Sequence, residues 1–552
     1  MNVGRSWLTS SVALACALAL GSGLTGCGEG QGGDGGAGGT GGAGLTGILV
    51  GGPISGVSFE TETHSGITTE NGTFRYEEGE TVRFFIGDTV LGETQGKEEV
   101  SPFDLVPNAE PLKGQDTLSR AASNKCNPLV SVINMAAFLQ TLDQDDNLDN
   151  GVRITSEVAT LFEGVSIDFA QNIFGFRRDR DLRTVLSQAN GQDLFASHRQ
   201  VRSGAFAMQD LYASLGLDAE LFVVLRYERD DGADDSIDSS SEQQYDERAQ
   251  RILSSRDDNG DGEPNSIRSF EYDEHGHRVR FESDSDGDGE PDRITRQVYD
   301  ENGDLTRTEQ DRDGDGDVDS IATTSYDDIG RVLRVEEDDN NNGTPNRIVT
   351  YWYDDDARQN GSLEDEDGDG FTDKSTTNFL DENGYLVRRE VDLGDDGTVN
   401  AREAYEYDAR GNRIRWERDR DADGELDDIA LYEYNEMCLR TYQENQEGDG
   451  TVENTTTTVY DDAGRRLSRS TDSDADGTPN SIETYQYDDS GNLALYANDS
   501  DADGTPNSTR TSEYTDGALS RVLTDQDADG TPDRIEHYTS EATEGWVAMF
   551  DD

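Results

Sequence analysis

Acidic side chains recur along this chain at a spacing suited to one chemistry, the holding of a hard divalent cation. The motif D-x-D-x-D-G-x-x-D and its variants stand eleven times between Tyr245 and Tyr538, 27 residues apart except for two steps of 26. The fullest sets are Asp284, Asp286, Asp288 and Asp292; Asp311, Asp313, Asp315 and Asp319; Asp365, Asp367, Asp369 and Asp373; Asp419, Asp421, Asp423 and Asp427; and Asp525, Asp527, Asp529 and Asp533. Asparagine enters in Asp257, Asn259, Asp261 and Asn265; in Asp472, Asp474, Asp476 and Asn480; and in Asp499, Asp501, Asp503 and Asn507. Asp338, Asn340, Asn342 and Asn346 keep the oxygens but a single charge, so this site is expected to bind most weakly. The copy starting at Asp392 lacks a side-chain oxygen at position 3 and the copy starting at Asn445 swaps three ligand types, so both are also weakened, and Asp230 to Asp238 reads as a decayed first copy.

A calcium ion takes six to eight oxygens at about 2.3–2.6 Å. Side chains at positions 1, 3, 5 and 9, with a backbone carbonyl near position 7, supply that set, and glycine at position 6 permits the sharp turn. Calcium is therefore the expected cofactor. A solvated acidic turn without metal fits any single copy equally well; repetition in register favours the ion. An EF-hand is excluded, because its twelfth-position glutamate is replaced by Thr295 after Asp284 and by Arg268 after Asp257.

The elements that position these loops are strands. "RVRF" and "RITRQVY" flank the Asp284 loop, and "RIVTYWY" follows the Asp338 loop, all rich in β-branched and aromatic residues. Fifteen residues after most loop starts comes a second punctuation, as in Tyr272-Asp273-Glu-His-Gly276 and Tyr407-Asp408-Ala-Arg-Gly411, where aspartate starts a turn and glycine closes it. Each repeat reads strand, loop, strand, turn. The expected fold is mainly β: a long antiparallel hairpin array of 27-residue period, all loops along one edge and all turns along the other, preceded by a small β-sandwich and a short helical region. Tyrosines at alternate positions, such as Tyr405 with Tyr407 and Tyr485 with Tyr487, are expected to share a face and stack across strands, as packing or as a sugar-binding surface.

The loop resembles the nine-residue calcium hairpin of integrin-type FG-GAP propellers and, more loosely, the thrombospondin type 3 aspartate repeats. "YDDIGRVLR" at Tyr326 and "YDDAGRRLS" at Tyr460 resemble the YD (RHS) repeats of bacterial surface and toxin-delivery proteins, over about 300 residues. This chain departs from that pattern by carrying an acidic loop where the family has a short connection. "GVSFETETHSGITTENGTFRYEEGETVRFFIGDTVLG" resembles carboxypeptidase-regulatory-like modules, which act as spacers on bacterial surfaces.

Arg5, an apolar run and Leu24-Thr25-Gly26-Cys27 read as a signal peptide that resembles the bacterial lipobox, which implies acylation (palmitate among the acyl chains) of Cys27 as the new N-terminus. Gly28 after the cysteine implies sorting to the cell outer membrane, anchored by lipid and expected at the surface. The organisation is then residues 1–26 signal peptide, 27–44 lipidated cysteine and Gly-rich tether, 45–100 β-sandwich, 101–225 mainly helical, 226–540 hairpin repeats and 541–552 tail. Cys126 and Cys438 are a possible disulfide pair on which the chain is not expected to depend.

A formal net charge of −72 has the wrong sign for nucleic acid. No H-E-x-x-H or G-x-S-x-G motif occurs, and solvated aspartates lack anything to raise their pKa, so no enzyme is expected. Expected partners are the membrane, through the lipid, and an unidentified surface protein or glycan. The expected role is adhesion, binding or spacing, with calcium as a structural cofactor. The rivals are a YD-type delivery or toxin protein lacking its toxic domain, since only about a dozen residues follow Tyr538, and a β-propeller scaffold, since two repeats approximate one four-stranded blade.

Overall fold

Seven-residue strands alternate with two kinds of turn, and this regularity gives an up-and-down sheet in which each strand pairs with its sequence neighbours. The computed structural model describes residues 44–112, 124, 126–354 and 358–546; Cys27, the leader and the tether lie outside them. From Leu221 to Thr543 the strands form one closed antiparallel barrel of 24 strands. The seam is the pairing of Leu221–Asp231 with Arg534–Thr543, with Tyr227 opposite Tyr538. Closure removes both sheet edges, which an open ribbon of this length would expose to aggregation. The ladder runs unbroken from hairpin to hairpin, which corrects the propeller alternative: no strand set separates into blades.

The tyrosine-aspartate turn explains the register. Asp327 Oδ1 accepts from the backbone N–H of Ile329 and of Arg331, and Gly330 adopts φ +76°. The same Asx geometry recurs at Asp273, Asp300, Asp408, Asp461 and Asp488. A bulge precedes each turn tyrosine and re-aims its ring. Its hydroxyl then donates to a backbone carbonyl 21 residues back: Tyr299 to Arg278, Tyr326 to Leu305, Tyr353 to Val332, Tyr407 to Leu386 and Tyr487 to Arg466. Hairpins with the turn tyrosine are thus stitched to the one before, and phenylalanine would not serve; Leu380 holds that position once and lacks the bond. The bulge also prevents the expected continuous tyrosine ladder. Pairs remain (Tyr485 with Tyr496 at 5.3 Å, Tyr385 with Tyr407 at 4.9 Å), and arginines cover other rings, such as Arg331 over Tyr353.

Both faces of the wall carry charge at mid-strand. Arg307–Glu309 and Arg334–Glu336 lie on one face; Arg389–Glu403 and Arg510–Glu536 lie on the other, because successive strand residues point oppositely. A strand that crosses a bilayer needs about 9–11 residues and an outward apolar band. These strands have 7, with ion pairs on either side, so the wall is not built to face lipid. Its side chains are mostly half-buried on both faces, as expected of a hollow ring.

The apolar core lies elsewhere, almost wholly between Leu49 and Leu221. Two small sheets, one centred on Leu45–Leu49 and the other including Ser58–Glu60, Thr81–Ile86 and Thr89–Gln95, meet through Phe74 and Phe84, 5.1 Å apart and edge to face. Helices Pro128–Thr141 and Gly204–Leu215 pack beside them; the first starts on the Asn127 cap with proline at its first turn. This N-terminal body caps the turn-lined mouth of the barrel. Arg183 bonds Asp304 at 2.9 Å, and Gln200 donates to the Glu301 carbonyl at 3.0 Å. Cys126 is disulfide-bonded to Cys438, which sits at φ +57° where other turns have glycine. That turn lies on a different sector of the ring from Asp304, so the cap reaches across the mouth. Trp546, just past the last strand, returns into the cap core against Tyr212 at 4.7 Å.

Candidate functional site

All the acidic loops stand on the rim opposite the cap, and their fold follows from the motif. The position 1 aspartate ends a strand and turns inward. In the Asp284 loop its two oxygens accept from the N–H groups of Gly287 at 2.6 Å and Gly289 at 2.8 Å. Position 9 closes the ring by accepting from the N–H of position 2, as Asp292 does from Ser285 and Asn265 from Asp258. Position 5 accepts from position 7, as Asp288 does from Glu290. Position 6 glycine has φ +93° at Gly289 with open space around it.

The side chains converge as the motif requires. Carboxylate oxygens lie within 4.8 Å of one another in the sets Asp284, Asp286, Asp292; Asp311, Asp313, Asp315; Asp365, Asp367, Asp373; Asp419, Asp421, Asp427; and Asp472, Asp474, Asp476, with two further groups. Three position 1 aspartates go further. Oδ1 of Asp311, of Asp419 and of Asp472 is buried without a hydrogen-bond partner among the described residues. An ionised oxygen withdrawn from water and left unpaired is costly unless a cation takes it. The donor set, all hard oxygens, suits calcium.

Hydrogen bonding favours the ionised form. At Asp257 burial works against ionisation, but the N–H groups of Gly262, Asn259, Gly260 and Asp261 hold the carboxyl below its usual range. At Asp292 the Ser285 hydroxyl and N–H act in the same direction. Both leave the carboxylate ready for a cation at neutral pH.

The Asp499 and Asp525 loops repeat the position 1 to position 6 bond, Gly504 to Asp499 at 2.8 Å and Gly530 to Asp525 at 2.7 Å, with Asn507 and Asp533 closing the two rings. The asparagine-rich Asp338 loop keeps the same geometry through Gly343 and Asn346. At the extremes of the repeat the outcome differs from the sequence reading. The Asn445 copy is not a nine-residue loop: the strand runs through to Glu447, Asn445 pairs with Asn454, and Glu447–Gly450 forms a tight turn. The stretch from Asp230, by contrast, folds as a full loop, with Asp234 and Asp235 donating to Asp230 and Asp238 closing the ring through Asp231.

Position 4 was not singled out by the motif, yet it joins the loops. Its backbone is left-handed in every full copy named here, from Gly287 at φ +74° to Asn341 at φ +49°. A Cβ on Gly287 would fall 2.0 Å from the carbonyl oxygen of Pro264, and on Gly314 1.8 Å from that of Pro291. Those prolines are position 8 of the preceding loops, so neighbouring loops touch backbone to backbone. Asn341 makes the same junction polar by donating to the Val318 carbonyl at 2.7 Å.

The acidic stretch after helix Pro128–Thr141 is built differently. Asp143 is buried, accepts from the N–H groups of Asn147 and Arg153, and has its pKa raised by that burial. Arg199 fills the position a cation would take, bonding the Asp143 carbonyl and Asp146, each at 2.7 Å.

No family model matches the chain, and no curated protein matches it. Among solved structures, the Photorhabdus luminescens Tc holotoxin pore carrying a TccC3 mutation matches at 14% identity and TM-score 0.20, over 55% of this chain and 22% of that one. A porin-like protein from Bacteroides uniformis matches at 11% identity and TM-score 0.20, over 58% of this chain and 96% of that one. The chain spans about a fifth of the toxin structure it matches. These scores lie far below a shared overall architecture.

Proposed function

We propose that the protein is a calcium-stiffened barrel, tethered to a membrane surface through lipidated Cys27, that serves as a scaffold for binding or spacing at the cell surface. The observation that carries this reading is the trio of buried, unpartnered oxygens on Asp311, Asp419 and Asp472, each beside further carboxylates of its own loop. The wall has few buried apolar side chains to hold it together, so the rim weighs heavily in its stability.

Closure sharpens the electrostatics. Two strands per repeat set adjacent loops roughly 10 Å apart. Two empty loops of charge −4 at that distance repel by about 6–7 kcal/mol in water, reduced to about 2 kcal/mol by physiological salt. A bound Ca²⁺ halves each charge and cuts the repulsion about fourfold. In a closed ring no loop can splay away from both neighbours. Calcium then acts as a structural cofactor, with no step of chemistry routed through it.

The combined variant D311N, D419N and D472N tests the assignment. It is expected to bind fewer calcium ions and to lose part of the rise in melting temperature that calcium gives the unaltered chain. An unchanged ion count and an unchanged rise would refute it. A second reading, an enclosing shell of the YD class, is favoured by the hollow wall and covered mouth; a folded polypeptide retained inside the barrel on purification would support it over the scaffold.

A further inference from the structure

At the mouth opposite the loops, a cavity of about 710 Å³ opens between the cap and the first barrel turns. In a chain with 118 acidic and 46 basic residues, its lining is unusual for including Arg177, Arg199, Arg202, Arg248, His198 and His275. Asp146 pairs with Arg199 and Asp210 with Arg202. Arg177 and Arg248 have no carboxylate within ion-pair distance among the described residues. Arg177 lies 3.5 Å from His277 Nε2 and feels the Asp304 carboxylate, which is already bonded to Arg183, and Arg248 lies over the Phe206 ring at 4.7 Å and donates to the Glu274 carbonyl. The Glu274 carboxylate is largely exposed and lies 3.8 Å from His275 Nε2.

Further lining groups are incompletely bonded. Arg199 is 5% exposed and Gln140 4%, yet Arg199 Nε and Gln140 Oε1 are buried without partners, as is Arg202 Nε. Two guanidinium groups with no carboxylate bonded directly to them call for an anion. Around them stand Thr141, Ser197, Ser203, Gln200 and Gln209, neutral groups that both donate and accept. That mixture matches a polyhydroxylated ligand, and the volume falls in the range of small-molecule sites.

We propose that this cavity binds a saccharide carrying a carboxylate or phosphate group. The anion sits against Arg177 and Arg248, and the sugar hydroxyls exchange hydrogen bonds with the amide and hydroxyl side chains. Long-range attraction does not drive entry, since the protein's net charge repels anions, so recognition depends on these short contacts. The proposal goes beyond the scaffold reading and stands or falls without calcium.

Calorimetric titration of the full chain with glucuronate, glucose 6-phosphate, glucose and inorganic phosphate tests it. Both acidic sugars are expected to bind, with glucose and phosphate each at least about tenfold weaker. The variant R177Q with R248Q is expected to lose about tenfold or more in affinity for both acidic sugars. R177K with R248K keeps the charge and is expected to recover part of that loss; it decides the matter if the glutamine variant melts early. No heat with either acidic sugar would overturn the proposal. So would phosphate binding as tightly as glucose 6-phosphate, or affinities unchanged in both variants.

Discussion

Gly314 offers a sharp test of how the loops are joined. It occupies position 4 of the Asp311 loop at φ +70°, and an added Cβ would lie 1.8 Å from the Pro291 carbonyl oxygen of the loop before it. Gly316, at position 6 of the same loop, has φ +96° and nothing within 4 Å of the same added atom. Alanine at either site costs about 1–2 kcal/mol for the left-handed backbone, offset by about 0.4–1 kcal/mol from a stiffer unfolded chain. Only G314A also sets a Cβ against a Pro291 carbonyl placed for glycine, unlike the loops whose position 4 is natively alanine, such as Ala502, and moving that carbonyl aside adds about 1–3 kcal/mol. For a ring of roughly 320 residues, unfolding entropy is about 0.7 kcal/mol per degree, so G316A should lower the melting temperature by about 1–2 °C and G314A by about 3–6 °C. Differential scanning calorimetry in calcium buffer reads both. Equal shifts would refute the claim that loops touch at position 4.

Two further outcomes follow from the wall and the cap. Y326F removes the hydroxyl that reaches the Leu305 carbonyl at 2.8 Å and should destabilise the barrel by about 1 kcal/mol, with amide exchange rising at the neighbouring hairpin in hydrogen-exchange mass spectrometry. Replacing Cys126 and Cys438 by serine opens a link spanning 312 residues, and should cost about 5–6 kcal/mol on the chain-entropy account and raise exchange at the Asn435 turn while leaving the loop rim unchanged.

Much of the repeat was legible because its physics is local. Asp284 and Gly289 define a loop through bonds five residues apart, and Asp327 and Gly330 define a turn in the same way. The mainly β hairpin array and its two-edged arrangement follow from those signals. Closure did not, because it depends on curvature summed over the whole sheet and on one pairing, Tyr227 with Tyr538, between residues at opposite ends of the array. The short Glu447–Gly450 turn was masked by acidic residues in nearly the right places. The Asp230 loop is easily undervalued because Asp235 takes left-handed backbone at position 6, where glycine is expected. The basic cavity had a visible trace, the run of arginines at positions 177, 178, 180, 183, 199 and 202 in an otherwise acidic chain. Only the fold shows that some of these meet Arg248 of the barrel.

The central claim is that the rim binds calcium and that the ring's order depends on it. Titrating the chelator-treated full chain with calcium by calorimetry, with far-ultraviolet circular dichroism on the same samples, tests it most directly. About ten ions bound in the micromolar to millimolar range, with strand signal and melting temperature rising together, is the predicted result. Full strand signal and an unchanged melting temperature in chelator, with no heat on adding calcium, would contradict it and leave the loops as acidic turns.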